Sequence, residues 1–139
     1  MELLDLETYW AVDPSIGQTN YLAPAIRFRL RNRGSRPQRS VQATAVFRRK
    51  GEESLTWGSD WQQVAGVKKP LPVGETTVVV LKSDARYTSP GPAAEMLGNA
   101  QFKDAKAEVF VRVGSSGWVK FADADVERRI GSRTVQGFQ

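Results

Sequence analysis

Four arginines at alternate positions, Arg27, Arg29, Arg31 and Arg33, are the side chains of this sequence best spaced to do chemistry together. On an extended strand alternate residues share a face, about 7 Å apart at twice the rise per residue. A guanidinium is a planar fork of donors that fits a phosphate or a carboxylate. The row could therefore hold an anion, and Arg48, Arg49 and Lys50 carry the basic character past the next turn. From Pro24 to Lys50 the chain has nine of its twenty basic residues and none of its fifteen acids. Neighbouring arginines at this spacing repel by only about 0.6 kcal/mol in water. The row is thus tolerable without a ligand, and acids such as Glu108 on adjacent strands could pair with it instead.

Two further groups have usable chemistry. Asp123, Asp125 and Glu127 alternate near the end of the chain and offer oxygen ligands of the kind calcium takes. A strand spreads such ligands out where a calcium loop gathers them, and pairing with arginines explains the run equally well, so no metal site is assigned. Trp57 and Trp61 flank a polar Gly-Ser-Asp turn and are expected to be an exposed aromatic pair, suited to stacking on a sugar ring or anchoring an interface. Trp10 and Trp118 are expected in the core. The sequence has no histidine and no cysteine, which excludes Ser-His-Asp, Cys-His and HExxH chemistry, disulfides and thiolate metal sites. No catalytic set and no cofactor is implied, and the chain is expected not to be an enzyme.

The elements that must position these residues are strands. Ile26, Phe28 and Leu30 alternate with the arginines, and Val41, Ala43, Ala45 and Phe47 alternate with Gln42, Thr44 and Arg48. Both patterns describe half-buried strands with polar outer faces. A first strand is read over residues 3–12, where one phase sets Leu4, Leu6 and Thr8 on one face and Glu7, Tyr9 and Ala11 on the other, and apolar groups on both faces leave the phase open. Residues 13–24 read as a loop. The stretch around Trp57 to Val67 reads as an irregular strand in which Gly58 marks a bulge. Glu75 to Ser83 is a β-branched strand whose three valines suggest burial on both sides. Ala93 to Leu97, stopped by Gly98, reads as one or two helical turns. Residues 106–113 and 118–130 form a hairpin around residues 114–117, and the tail from about 132 is read as frayed. Together these predict one all-β domain over 1–139, an antiparallel immunoglobulin-like sandwich of about seven strands with at most one short helix near residues 93–97.

A length of 139 residues suffices for a core without staples. The net charge of +5 favours anionic surfaces. No apolar run approaches the roughly 18 residues a spanning helix needs. The first thirty residues lack a leader's basic and apolar segments, so the chain reads either as cytoplasmic or as the soluble portion of something larger.

Phe28 to Glu52, FRLRNRGSRPQRSVQATAVFRRKGE, has an apolar strand ending in Asn, a Gly/Pro turn, an alternating strand with an aromatic, and a charged turn with Gly. This pattern resembles the start of immunoglobulin-like or fibronectin type III-like modules of the FxLYD, CARDB and water-stress kinds, found in bacterial cell-envelope proteins. In the same resemblance, Leu71 to Val80 is the strand behind a proline-glycine turn. It implies a non-enzymatic, extracytoplasmic domain that positions other domains or binds a protein partner. Two alternatives stand beside it. One is nucleic-acid or other polyanion binding through residues 27–50, although no aromatic residues interleave with the arginines as a stacking surface needs. The other is carbohydrate binding through Trp57 and Trp61. Oligomeric state is left open by the sequence.

Overall fold

The computed structural model describes residues 1–14, 20–89, 91–99 and 102–131. Nine strands and one four-residue helical turn follow in the order β1 (Glu2–Pro14), β2 (Asn20–Arg31), β3 (Val41–Arg49), β4 (Gly58–Ala65), β5 (Thr76–Lys82), β6 (Tyr87–Ser89), α1 (Ala93–Met96), β7 (Ala105–Val113), β8 (Val119–Asp125) and β9 (Ile130–Gly131). One sheet has the order β5-β2-β1-β9, with β6 also paired to β2, and the other has β4-β3-β7-β8. The seven long strands are those the alternation predicts, and β6 and β9 add three and two residues. Strands one, two and five lie in one layer and three, four, seven and eight in the other, which is the connectivity of an immunoglobulin-like sandwich. All pairs are antiparallel except the two-residue β1·β9 pair.

The layers are complementary in size. Trp10, Leu22, Ile26, Phe28, Leu30, Val79 and Leu81 project from the first sheet, while the second presents mainly small residues, Ala43, Ala45, Ala107 and Val109, with Phe47 at one end. Large groups against small ones let two sheets interdigitate at crystal-like density.

Several local expectations change. The inward phase of β1 is not continuous, because between Leu4↔Arg29 and Glu7↔Arg27 two residues, Asp5 and Leu6, oppose the single Phe28. Asp5 sits at φ 53°, so the bulge flips the alternation. Met1 and Leu3 pack on the core before it, and Leu6, Trp10 and Val12 after it. The loop expected over residues 13–24 is shorter, since β1 reaches Pro14 and β2 begins at Asn20. In β4 the irregularity lies near Val64 rather than at Gly58. Gly58 is required for a different reason: a Cβ there would lie 1.9 Å from Ser83 Oγ. Val78 is exposed and only Val79 of the three valines is buried, because β5 is an edge strand with a single packed face. The frayed tail expected from residue 132 lies outside the described residues.

Candidate binding surfaces

The arginine row faces outward from β2, as the alternation requires, but β1 supplies an acidic row beside it. Arg27 pairs with Glu7 at 2.8 Å, Arg29 with Asp5 at 3.6 Å and Arg33 with Glu2 at 2.9 Å. The bulge contributes here, since it brings Asp5 and then Glu7 to the outer side. The acids therefore come from the neighbouring β1, and Glu108 serves a different arginine. Arg48 binds Glu108 at 2.9 Å, Arg49 binds Glu52 at 2.9 Å, and Lys50 reaches Asp125 at 3.2 Å. Of the seven nominated cations only Arg31 faces no acid among the described residues, and its Nε donates to Gly74 O at 3.2 Å. A continuous anion stripe over 27–50 is thus largely neutralised from within.

The acidic run behaves the same way. Asp125 pairs with Lys50, Asp123 with Lys120 at 3.1 Å and Glu127 with Arg129 at 3.0 Å. Among the described residues no three acids gather as metal ligands would. Glu108 sits between two cations, Arg48 and Lys120, whose hydrogen bonds hold its carboxyl below the usual range. Hydrogen bonds to Glu108 and Asp123 in turn raise the Lys120 ammonium.

The tryptophans are distributed differently from the expectation. Trp57 is half-buried at one end of the sandwich, 4.8 Å from Tyr87 and 6.4 Å from Trp10 between ring centres. Phe102 closes this group 4.7 Å from Trp10, and Arg49 and Arg128 lie over the Trp57 and Phe102 rings. Trp57 and Trp61 are therefore not an exposed pair. Trp61 alone of the two is open, at 53% exposure, and Trp118, expected in the core, is 41% exposed.

Trp61 and Phe110 belong to one surface, the outer face of the β4-β3-β7-β8 sheet, and the exposed Trp118 directly precedes its edge strand β8. Trp61 lies opposite Thr44, Thr44 opposite Phe110, and Phe110 opposite Lys120. At about 4.8 Å per strand the row from β4 to β8 spans about 15 Å. Arg112 is the polar anomaly of this face, because its Nε is buried without a protein partner and no acid pairs with it among the described residues. Trp118, Phe110 and Arg112 were not nominated from the sequence. The signal was present as period-two alternation in β7, which puts Phe110 and Arg112 opposite to Val109 and Val111.

A second surface is the end of the sandwich where residues 32–40 and 66–75 meet. Gln38 and Leu71 exchange backbone hydrogen bonds at 2.9 and 2.8 Å, and Gly74 N donates to Asn32 O at 2.8 Å. Arg36 and Arg39 on one loop, and Lys68 and Lys69 on the other, have no acidic partner among the described residues. Arg31, Asn32, Arg33, Gly34, Val73 and Gly74 line an open groove of about 410 Å³ here.

No family model matches this chain, and no curated protein matches it. Among solved structures, the crystal structure of a Bordetella pertussis protein designated ApaA aligns with 91% of this chain and 94% of that one, at 15% identity and a TM-score of 0.38. A likeness of that size assigns neither family nor function.

Proposed function

We propose that this chain is a non-catalytic interaction module of a bacterial cell-envelope protein or complex, and that it engages a protein partner through the outer face of the β4-β3-β7-β8 sheet. The observation that carries this reading is Trp61 and Phe110 in one row of the sheet face, with exposed Trp118 at the start of its edge strand and Arg112, which has no acidic partner among the described residues, beside Phe110 on the same face. Tryptophan and arginine dominate the energetics of protein interfaces, where a desolvated centre makes rigid rings and forked donors most effective. An incoming carboxylate or carbonyl would supply the partner that Arg112 lacks. The envelope setting is supported by the likeness of Phe28 to Glu52 to envelope modules.

The test uses a photocrosslinking side chain at Thr44, within this face, and at Val78, on the outer face of the opposite sheet. A discrete adduct from position 44 that disappears in Trp61→Ala/Trp118→Ala, with none from position 78, is the expected result. Equal adducts from both positions would overturn the assignment. Tryptophan quenching by a soluble polysaccharide, abolished by Trp61→Ala, would move the same face to a glycan ligand.

A further inference from the structure

We propose that the end of the sandwich formed by residues 32–40 and 66–75 docks on an anionic lipid bilayer, with Val67 and Val73 entering the headgroup region inside a collar of basic side chains. This surface is independent of the sheet face described above and rests on different observations. Val67 is 78% exposed and Val73 48% exposed. Val67 lies in the turn closed by Gly66 and Lys69, and Val73 in the turn closed by Pro72 and Glu75. Each valine has cations close by, since Lys68 and Lys69 directly follow Val67 and Arg31 and Arg33 share the groove wall with Val73. Arg36 and Arg39 add to the collar from the other loop.

The chemistry selects the occupant. Elsewhere the described cations of the nominated stretch are matched by acids, and here Arg36, Arg39, Lys68 and Lys69 are left to face outward. Phosphates of a nucleic acid would satisfy the charge but would give two exposed valines nothing apolar to enter. An anionic leaflet offers both, a negative surface that attracts each nearby basic residue and an acyl boundary beneath it. Backbone hydrogen bonds of Gln38 with Leu71 and of Gly74 with Asn32 hold the two loops together, which lowers the ordering that docking requires of their backbones.

The chain contains no cysteine, so Val67→Cys carries a single environment-sensitive nitrobenzoxadiazole label. The labelled full chain is mixed with phosphatidylcholine vesicles, with and without phosphatidylglycerol. Binding is expected only to the phosphatidylglycerol vesicles, with enhanced label emission, and it should weaken steeply with salt. Each basic residue near such a surface contributes on the order of fivefold in affinity. The variant Arg36→Glu/Arg39→Glu/Lys68→Glu/Lys69→Glu should therefore bind at least about a hundredfold more weakly while melting at the parent temperature. Equal binding to neutral vesicles, unchanged binding by the charge-reversed variant, or binding without an emission change would each overturn the proposal. Tighter binding to duplex DNA or to polyglutamate than to the vesicles would overturn it too, assigning this end to a nucleic acid or an acidic protein.

Discussion

Asn32 is 1% exposed, and its polar atoms all have work in the turn that follows β2. Its Nδ2 donates to Arg36 O at 2.8 Å and to Leu71 O at 3.0 Å, and its Oδ1 accepts from Gly34 N at 2.9 Å. The backbone of the same residue joins Gly74 and Glu75. One side chain thereby fixes the loop crossing from the first sheet to the second. Asn32→Ala removes a donor from Arg36 O and one from Leu71 O, which keeps its bond from Gln38 N, and removes the acceptor of Gly34 N, and should lower unfolding free energy by about 1–2 kcal/mol, measured by urea titration. At this scale the sequence was partly legible. An Asn at the end of an apolar strand announced a turn, but its burial depended on the 66–75 connection folding against it. The tryptophans show the same limit. Trp10 is buried as its bulk suggests, whereas Trp57 and Trp118 lie just outside strands, where no period governs the side chain.

At the scale of elements, the bulge in β1 decides the most. Asp is one of the few residues that tolerate a left-handed backbone, and Asp5 uses that tolerance at φ 53°. Asp5→Gly gives up only an exposed ion pair with Arg29 and relaxes the backbone, so stability should change by less than about 0.5 kcal/mol. Asp5→Val should cost about 1–2 kcal/mol, because a β-branched side chain resists that conformation. Thermal melts of the two variants test the contrast. The bulge also explains why the β1 phase could not be read: apolar residues fall on both faces of a perfectly alternating strand, and only the extra residue reconciles them. Conversely β2, β3 and β7 have no such break within their apolar runs, and their inward sets match the expectation residue by residue. On the second sheet, Glu108 ties β3 to β7 and β8 through Arg48 and Lys120. Its folded pKa is depressed, so its contribution is fully present above the ordinary value of 4.5 and is lost as pH falls through the lower folded value. Glu108→Gln should cost about 1–2 kcal/mol at pH 7 and flatten the acid limb of the stability profile, read from denaturant midpoints across pH.

For the whole molecule, the sandwich joins strands that are distant in sequence. β1 is bound to the end of β8 and the residues after it through Thr8, which donates to Asp125 O at 2.9 Å and accepts from Glu127 N at 3.0 Å. Such closures must wait for long loops to form, so refolding should be single-exponential in the millisecond-to-second range rather than microseconds, as stopped-flow tryptophan fluorescence would show. The layer architecture was readable because strand alternation and turn chemistry are local. The charge pairing was not, because which acid meets which arginine is set by strand order and register. One of these long-range links has a bearing on how the molecule behaves in a crowd. Asp60 accepts from Lys82 N at 2.9 Å and from its own neighbour Trp61 N, and Asp84 accepts from Ser59 N at 2.9 Å. Two carboxylates thus occupy amides along the open margins of β4 and β5 that another chain's strand could otherwise zip onto. Asp60→Ala/Asp84→Ala should leave a folded protein that forms thioflavin-positive fibrils under agitation far sooner than the parent. The same two aspartates that fasten one sheet to the other would then be its protection against amyloid-like growth.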